Sequence, residues 1–376
     1  MANNNNNKVL NVPNLRFPEF TGEWRKCKLG EIASGFDYGM NSAAKSYDGK
    51  NKYIRITDID ASSASYSNNY IVSPDGKLQN NYLVNKNDIL LARTGASTGK
   101  SYLYESNDGR LYFAGFLIRI NIPKENPYFI FTQFHTSNYK KWVSIMSARS
   151  GQPGINSQEY SSYLIYVTGK QEQDKISSLL SLLDERIAAQ NKIIEDLKKL
   201  KSAMIDLFFH GNMTWQRCCI GDILKIGNGK DYKHLNSGNI PVYGTGGRML
   251  SVSDWLYDGD SVCIGRKGTI NQPMFLSGKF WTVDTLFYTY DFKNITPKFC
   301  YYLFNTINWL EYNEASGVPS LSKATIEKIK VKIPNMDKQI YICSVLDSVC
   351  NKIKFETKIV SNYNSQKSYL LQQMFI

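Results

Sequence analysis

An internal repeat constrains the fold of this 376-residue chain more than any other feature of its sequence. The segment SGQPGIN at 150–156 matches SGVPSLS at 316–322, an offset of 316 − 150 = 166 residues. The same offset continues without a gap to the C-terminus, so that Gln173 matches Gln339 and Phe209 matches Phe375. Self-similarity over this length predicts two copies of one structural unit in a single chain.

The N-terminal parts of the two copies match more loosely. WRKCKLGEI at 24–32 matches WQRCCIGDI at 215–223 with an offset of 215 − 24 = 191, so the first copy carries about 191 − 166 = 25 additional residues. Two further matches are NDILLARTG at 87–95 with GDSVCIGRKG at 259–268, and YFIFTQFHT at 128–136 with KFCYYLFNT at 298–306. We therefore expect a module, a helix, a second module and a second helix.

Both copies end in a long helical pattern, which covers residues 171–209 in the first. Its seam recurs at steps of four and three: Ile176, Leu180, Leu183, Ile187, Gln190, Ile194, Leu197, Lys201, Met204 and Phe208, matched by Ile342, Leu346, Val349, Ile353, Glu356, Val360, Tyr363, Lys367, Leu370 and Met374. Such heptads predict paired helices, and a two-fold relation between the copies makes them antiparallel. A helix of this length spans roughly 55–60 Å.

Charge and composition narrow the partners of the chain. The net charge is +12, from 45 basic and 33 acidic residues. This surplus favours a polyanion such as nucleic acid, with solubility as the alternative explanation. No apolar run approaches the length of a membrane span, the N-terminus lacks a secretory signal, and the seven cysteines contain no C-x-x-C pair. We expect a cytoplasmic protein without membrane contact, disulfide framework or zinc site.

The segment RTGASTGKSYLYE at 93–105 comes close to a phosphate-binding loop. The pattern G-x-x-x-x-G-K-[ST] would end at Gly99-Lys100-Ser101, but its first glycine would fall at Thr94. The second copy reads GRKGTINQP at 265–273 and contains no G-K-[ST]. A nucleotide-dependent enzyme that uses the Gly95–Lys100 loop is therefore one alternative function.

Both copies do keep an Arg, one further residue and a Gly after an apolar strand, as Arg93-Thr94-Gly95 and Arg266-Lys267-Gly268. An arginine at the end of a strand can place its planar guanidinium against a phosphate or the edge of a guanine. The alternative is a surface hairpin whose arginine is solvated. We favour nucleic-acid contact, because it joins the positive charge with the duplication.

The doubled order of variable module and long helix resembles the DNA-specificity subunit of type I restriction–modification systems. The residues that carry the resemblance are WRKCKLGEI and WQRCCIGDI, the two R-x-G turns, the S-G-x-P-type loops, and the helix openings EQDKISSLLSLLDERI and DKQIYICSVLDSVCNKI. It implies an α+β fold of two mixed α/β target recognition domains, separated by two antiparallel coiled-coil helices. The expected boundaries are 1–167 and 213–333 for the domains and 168–212 and 334–376 for the helices.

The resemblance also implies a function. Each module would read one half of a bipartite site in double-stranded DNA, and the helices would fix the gap between the halves. The subunit would have no catalysis of its own, and would recruit two methyltransferase subunits and restriction subunits that translocate DNA. S-adenosylmethionine, ATP and magnesium would belong to those partners, with no cofactor in this chain.

Candidate DNA-binding residues come from basic and amide-bearing loops at corresponding places in both modules. In the first module they are Lys45, Tyr47, Lys50, Arg55, Thr57, Arg93, Thr94, Lys100, Arg149, Gln152 and Asn156. In the second they are Lys230, Tyr232, Lys233, His234, Thr245, Arg248, Arg266, Lys267, Thr269, Asn271, Ser320, Ser322 and Lys323. Arg, Lys, Asn and Gln can address base edges, whereas Ser, Thr and Lys more often hold phosphates. For the two tyrosines, core packing is an equal alternative.

Motifs for catalysis do not emerge from the sequence. Asn126-Pro127-Tyr128 is one proline short of the [ND]-P-P-[YF] of amino-methyltransferases and precedes a helix expected near 128–143, whose counterpart is near 298–313. The three histidines are too scattered to suggest a metal site. A third function also fits the pattern: a coiled-coil assembly protein that does not bind DNA.

Overall fold

The computed structural model describes residues 10–61, 63–148, 153–211 and 215–376. These residues form two compact units, one up to Gln190 together with Ile359–Ile376, and the other Asn191–Lys358. Each unit therefore combines one module with parts of both long helices. Within the described ranges, none of the helices is both long and apolar enough to cross a membrane.

The first copy begins with a strand and ends in a long helix. Its elements are β1 Arg25–Lys28, α1 Leu29–Ile32, β2 Ser34–Tyr38, β3 Ala44–Ser46, β4 Lys52–Ile54, β5 Val72–Pro74, β6 Asp88–Ala92, β7 Ser101–Leu103, β8 Leu111–Phe113, β9 Leu117–Asn121, α2 Pro127–Gln133, α3 Ser137–Ser147, α4 Ser157–Ser162, β10 Leu164–Val167 and α5 Lys170–His210. Short 3-10 turns lie at Ile56–Asp58, Asn80–Tyr82, Gly95–Ser97 and Ser106–Asp108.

The second copy follows the same plan with a different middle. Its elements are β11 Gln216–Cys219, α6 Ile220–Ile223, β12 Lys225–Asn228, β13 Ser237–Gly244, β14 Gly247–Val252, β15 Tyr257–Asp258, β16 Ser261–Gly265, β17 Met274–Leu276, β18 Lys279–Thr282, β19 Leu286–Tyr290, α7 Pro297–Phe304, α8 Lys323–Lys328, β20 Lys330–Ile333 and α9 Met336–Gln373. A 3-10 turn at Trp309–Tyr312 follows α7.

The sheets repeat between the modules. The central sheet has the order β2-β9-β6-β7 in the first and β12-β19-β16-β17 in the second. The first strand of each module also pairs antiparallel with the last, β1 with β10 and β11 with β20. Strands β6 and β16 are buried along their whole length, as the largely apolar segments DILLA and SVCIG predict. The predicted repeat and mixed α/β modules are thus confirmed.

The helix expected near 128–143 is interrupted, and that prediction was wrong. Helix α2 ends at Gln133, and Thr136 begins α3 by accepting a hydrogen bond from the Tyr139 backbone N–H at 3.3 Å. In the second module α7 ends at Phe304, where the buried indole of Trp309 donates to the Phe304 carbonyl at 2.8 Å. A threonine cap therefore begins a new helix in the first module, and an indole bond follows the end of the helix in the second.

Helix α5 covers the predicted 171–209, and α9 covers its repeat up to Gln373, two residues short of the predicted end at 375. Every predicted seam position is buried or half-buried in both copies. Within the first unit, Lys367 Nζ of α9 lies 2.5 Å from Asp184 Oδ1 of α5. Within the second unit, the rings of Phe208 and Tyr341 lie 6.4 Å apart. Later residues of α9 thus meet earlier residues of α5, which is the antiparallel order expected from the repeat.

The end of a long helix completes the core of each module. In the first unit, Phe375 of the C-terminal segment packs 6.0 Å from Trp24 and 5.4 Å from Phe129, measured between ring centroids. The equivalent rings of the second unit are Phe209 from α5, Trp215 and Phe299. Each module therefore takes its third aromatic ring from the end of a long helix or from the residues just after it.

A buried glutamine fixes the start of each long helix to its module. Gln173 accepts a hydrogen bond from the Asn126 N–H at 2.8 Å and donates to the Thr168 carbonyl at 2.7 Å. Gln339 accepts from the Thr296 N–H at 2.9 Å and donates to the Asn294 and Pro334 carbonyls. Both glutamines are fully buried, and these bonds satisfy polar groups that burial would otherwise leave unpaired.

Candidate nucleic-acid interface

In the first module, the turn after β6 is bound by a loop from much later in the chain. We call Arg93–Gly95 the arginine turn and Pro153–Ile155 the proline loop. The Gly95 N–H donates to the Pro153 carbonyl at 3.0 Å, and the Ile155 N–H donates to the Arg93 carbonyl at 2.9 Å. These two bonds hold the arginine turn against the proline loop.

The second module repeats this arrangement between Arg266–Gly268 and Pro319–Leu321. The Gly268 N–H donates to the Pro319 carbonyl at 2.8 Å, and the Leu321 N–H donates to the Arg266 carbonyl at 2.9 Å. The middle residues pair as isolated bridges in both modules, Thr94 with Gly154 and Lys267 with Ser320. The arginine turn and the proline loop thus form one matched surface in each module.

Glycine is required at the end of both arginine turns. Gly95 has φ of 67° and Gly268 has φ of 97°, which are left-handed values that other residues adopt only under strain. In the second module the turn also comes close to a neighbouring loop, because a methyl group on Gly268 would lie 3.6 Å from Thr245 Oγ1. Thr245, a predicted contact residue, therefore lies beside the arginine turn.

The arginine of the first turn is partly enclosed. The Arg93 guanidinium lies 4.7 Å from the centre of the Tyr38 ring, and Nη1 donates to the Gly115 carbonyl at 3.4 Å. The Arg93 Nε atom is buried without a hydrogen-bond partner. Tyr38 is held in turn by Ser157, whose N–H donates to the tyrosine hydroxyl at 3.2 Å. This side chain is oriented by its surroundings and half-buried.

The arginine of the second turn is more accessible. Arg266 and Lys267 are both exposed, and the Arg266 guanidinium lies 5.9 Å from the Phe287 ring. Farther along this turn, Thr269 is half-buried and Asn271 is exposed. The second module therefore presents two exposed cations where the first presents one half-buried cation and a threonine.

Two predicted contact residues next to the proline loops serve as helix caps. The Asn156 side chain accepts from the Glu159 N–H at 2.9 Å at the start of α4. Ser322 Oγ accepts from the Thr325 N–H at 3.1 Å at the start of α8. Ser320 is half-buried and Lys323 is exposed, with its Nζ 3.7 Å from a Glu327 carboxylate oxygen.

The Gly95–Lys100 loop does not present its backbone as a phosphate-binding loop does. The N–H groups of Thr98, Gly99 and Lys100 donate to the carbonyls of Gly95, Ala92 and Ser97, each at 3.0 Å. A phosphate loop needs such amides free to surround its ligand. The Lys100 ammonium donates to the Ile59 carbonyl at 3.1 Å. The structure therefore weighs against the nucleotide-dependent alternative.

The remaining predicted residues of the first module lie elsewhere. Arg55 forms a two-pronged ion pair with Asp58, with both N···O distances 2.8 Å, so its guanidinium holds a neighbouring carboxylate. Thr57 beside it is exposed. Lys45 is exposed on β3, in the separate two-stranded sheet β3-β5. Tyr47 and Lys50 are exposed in the residues that follow β3. Arg149 and Gln152 lie outside the described residues.

In the second module, the predicted basic loop is mostly exposed. Lys230, Lys233 and His234 are exposed, whereas Tyr232 is half-buried against the cluster of Val242, Val252, Trp281 and Val283. Of the two explanations for Tyr232, DNA contact and core packing, its half-buried position agrees in part with core packing. Arg248 is exposed on β14, where Nη2 donates to Ser251 Oγ at 3.0 Å.

Sequence analysis missed two exposed aromatic residues. Phe116 is 59% exposed in the turn whose carbonyl accepts the Arg93 N–H at 3.0 Å. Trp255 is 44% exposed, and Lys279 Nζ lies 3.6 Å from its ring centre. An aromatic side chain in a loop carries no pattern that separates surface from core, so no sequence signal could have found them. Over the described ranges, no group of three or more His, Cys, Asp or Glu side chains could hold a metal ion.

Comparison with known proteins connects this geometry to a family. The profile described as "Type I restriction modification DNA specificity domain" matches twice, at residues 21–199 and 212–362. The two matches each cover one module with part of its long helix. Together they take in most of the chain.

Curated relatives share a smaller part. The chain is 24% identical over 161 residues to the type I restriction enzyme EcoprrI specificity subunit of Escherichia coli, covering 40% of this chain and 38% of that protein. It is 25% identical over 117 residues to the putative type I restriction enzyme specificity subunit S.HindORF215P of Haemophilus influenzae, covering 30% of each. The matches thus span well under half the length of these relatives.

Solved structures share the fold over nearly the whole chain. The S subunit of a type I restriction-modification system from M. genitalium superposes with a TM-score of 0.68 and 17% identity, covering 97% of this chain and 99% of that one. A chain from a structure of complex assembly and conformational transition in the type I R-M system gives 0.57 and 13%, covering 94% and 97%. At these identities the likeness concerns the fold alone. Since the family profile covers both modules, the chain belongs to the family of type I restriction modification DNA specificity domains.

Proposed function

We propose that this chain is the specificity subunit of a type I restriction–modification complex and reads a bipartite sequence in double-stranded DNA. Each module reads one half of the site, and the long helices set the separation of the halves. The observation that carries the proposal is the duplicated contact of arginine turn and proline loop. Two matched surfaces in one chain suit a target made of two half-sites.

The charges of the two surfaces support contact with DNA. Arg266 and Lys267 are exposed together at the end of a buried strand, and Arg93 is oriented by Tyr38. An arginine held in one orientation suits base edges, because a guanidinium donates two parallel hydrogen bonds to guanine. A freely exposed lysine suits phosphates. The net charge of +12 adds sequence-independent attraction to DNA.

In this proposal the chain supplies recognition and its partners supply chemistry. Two methyltransferase subunits and the restriction subunits bind S-adenosylmethionine, ATP and magnesium. The start of α9 offers a surface for such a partner, since Met336, Ile340 and Tyr341 are all exposed there. At the matching start of α5 in the first unit, the N-terminal segment of the chain itself packs, with Arg16 Nε 2.7 Å from Glu172 Oε1.

A genome-wide map of adenine methylation tests the proposal. Cells carry an active partner methyltransferase with this chain, without it, or with the double variant Arg93→Ala and Arg266→Ala, which removes both proposed contact arginines. We expect a split methylation motif only with the unaltered chain. A methylation pattern that is the same with and without the chain contradicts the proposal. A coiled-coil protein unrelated to DNA would also show no sequence preference in direct binding.

A further inference from the structure

A cavity of about 270 Å³ lies in the first unit, next to the segment that resembles a phosphate-binding loop. Its walls come from the loop around Ile59–Asp60, the segment Thr98–Ser101, helix α3 and one residue of α9. The reading of DNA proposed above does not account for this space. The second module has no equivalent sequence here, because the residues that follow its arginine turn read TINQP at 269–273 and contain no lysine.

The lining of the cavity carries an excess of positive charge. Lys100, Lys140 and Lys367 line it. The carboxylates of Asp60, in the lining, and of Asp184, which pairs with Lys367 at 2.5 Å, offset two of these charges and leave a surplus of 3 − 2 = 1. Lys100 uses one donor on the Ile59 carbonyl at 3.1 Å, so its ammonium keeps two more. Lys140 is exposed to solvent on α3. An anion entering the cavity therefore meets the ammonium groups of Lys100 and Lys140, which come from two separate elements.

A half-buried histidine supplies a directional group in the same wall. His135 lines the cavity, and its Nδ1 atom is buried without a hydrogen-bond partner. Its Nε2 atom lies 3.3 Å from Ser101 Oγ. Burial, followed by the charges of Lys367 and Lys140, lowers the pKa of His135 to about 3, so the ring is neutral at pH 7. If the Ser101 hydroxyl donates to Nε2, Nδ1 carries the proton and is a free donor.

We propose that this cavity binds a small phosphate-bearing anion. Buried polar atoms nearly always have a partner, and an oxyanion would satisfy His135 Nδ1 while neutralising the lysines around it. The volume lies just below the roughly 300–1,000 Å³ of pockets for drug-sized ligands. It suits inorganic phosphate, a phosphate monoester, or one phosphate of a DNA backbone. The second module carries Asn305 where the first has His135, so the site belongs to the first module alone.

Calorimetric titration of the full chain with inorganic phosphate, and separately with AMP, at constant ionic strength tests the proposal. The variant Lys140→Ala should bind phosphate about tenfold more weakly, as expected for loss of one charge-assisted hydrogen bond. The matched control is Lys141→Ala, which removes the same charge from the next residue of α3, an exposed residue outside the cavity. It should bind as the unaltered chain does. Nitrogen NMR of His135 should show Nδ1 shift on phosphate addition in the control and the unaltered chain.

The same variants separate the two sources of phosphate. If the anion is free in solution, Lys140→Ala loses phosphate binding and keeps its affinity for DNA. If DNA supplies the phosphate, the variant also binds DNA more weakly, the slope of log affinity against log salt falls by about 1, and free phosphate competes with DNA. The proposal is overturned if millimolar phosphate and AMP produce neither heat nor a His135 shift while Lys140→Ala binds DNA normally. Equal binding by the unaltered chain and Lys140→Ala also overturns it.

Discussion

The first and second modules build the same central sheet, β2-β9-β6-β7 and β12-β19-β16-β17, and add different strands to it. The first adds the pairs β3-β5 and β4-β8, whereas the second adds a four-stranded sheet, β14-β13-β18-β15. In each unit, residues of the shared sheet, the aromatic rings and residues of the long helices belong to one hydrophobic core. Structural constraint is thus concentrated in the shared part, and the added strands are free to differ in the surface they present.

The arginine turns show the same division on a smaller scale. Their backbone bonds to the proline loops agree within 0.2 Å, since 3.0 and 2.9 Å in the first module correspond to 2.8 and 2.9 Å in the second. Their side chains differ, because Arg93 is half-buried beside Tyr38 and Arg266 is exposed. Two modules that recognise different half-sites would need the same backbone geometry and different side-chain environments, as the two arginine turns have.

Breaking the shared aromatic core should have the largest effect. Phe129 and Phe299 are matched and fully buried, so Phe129→Ala and Phe299→Ala should each lower the free energy of unfolding of their own unit by about 3–5 kcal/mol. Hydrogen exchange measured by mass spectrometry resolves the two units. Phe116→Ala, at an exposed residue, is the control and should stay within about 0.5 kcal/mol. Unequal losses for the matched pair would show that the cores are not equivalent.

Removing the buried glutamines should have a smaller and again matched effect. Gln173→Leu leaves the Asn126 N–H without its acceptor, and Gln339→Leu does the same to the Thr296 N–H. Each should cost about 1–3 kcal/mol, the usual penalty of a buried unpaired donor. Urea unfolding followed by hydrogen exchange measures both, with the exposed Gln372→Leu of α9 as the control. A neutral Gln173→Leu beside a costly Gln339→Leu would contradict the equivalence of the helix starts.

Acidification should destabilise the first unit more than the second, because His135 of the first module is matched by Asn305 of the second. Burial lowers the pKa of His135 to about 3 in the folded state, against about 6.5 when unfolded. The unfolded chain therefore binds a proton that the folded chain does not, so stability is full above pH 6.5 and falls as the pH drops towards 3. We expect the first unit to lose roughly 1–2 kcal/mol by pH 5 through this residue.

Pulse proteolysis of the two units at pH 7 and pH 5 measures this difference. His135→Asn, which copies the residue of the second module, should remove the additional acid sensitivity of the first unit. If His135→Asn and the unaltered chain lose the same stability between pH 7 and pH 5, groups other than His135 cause the acid sensitivity of the first unit.

The smallest expected effect concerns the residue between Arg and Gly in each turn. Lys267 stands where the first module has Thr94, and we expect it to contact phosphate. Lys267→Thr should weaken DNA binding severalfold without changing base preference, and should lower the slope of log affinity against log salt by about 1. Fluorescence anisotropy across a salt series measures this, with Lys328→Thr, an exposed lysine at the end of α8, as the control. A changed base preference would instead place Lys267 on a base edge.

The sequence alone predicted the features that depend on local periodicity or on the repeat. The heptad seam placed the first long helix within a residue of Lys170–His210 and the second within two residues of Met336–Gln373, because one buried stripe determines a helix wherever it packs. The offsets between the copies predicted that the modules share a fold. The antiparallel order followed from the repeat, and the meeting of Lys367 with Asp184 agrees with it.

Features that depend on contacts distant in sequence could not be predicted. The bond between Gly95 and Pro153 joins residues 58 positions apart (153 − 95), and no spacing pattern signals it. The sequence predicts that Arg55 contacts DNA, but in the structure its guanidinium donates to the Asp58 carboxylate. The break after Gln133 depends on whether Thr136 caps a new helix or continues the old one, and helix propensity does not decide between these.

The most direct test of two separate reading surfaces is the methylation motif produced by each single-arginine variant. Adenine methylation is mapped in cells with the partner methyltransferase and either Arg93→Ala or Arg266→Ala. We predict that each variant relaxes base preference in one half of the motif, that the two variants affect opposite halves, and that the spacing between the halves is unchanged. If both variants relax the same half, or if neither alters the motif, the matched turns do not read separate halves of the site.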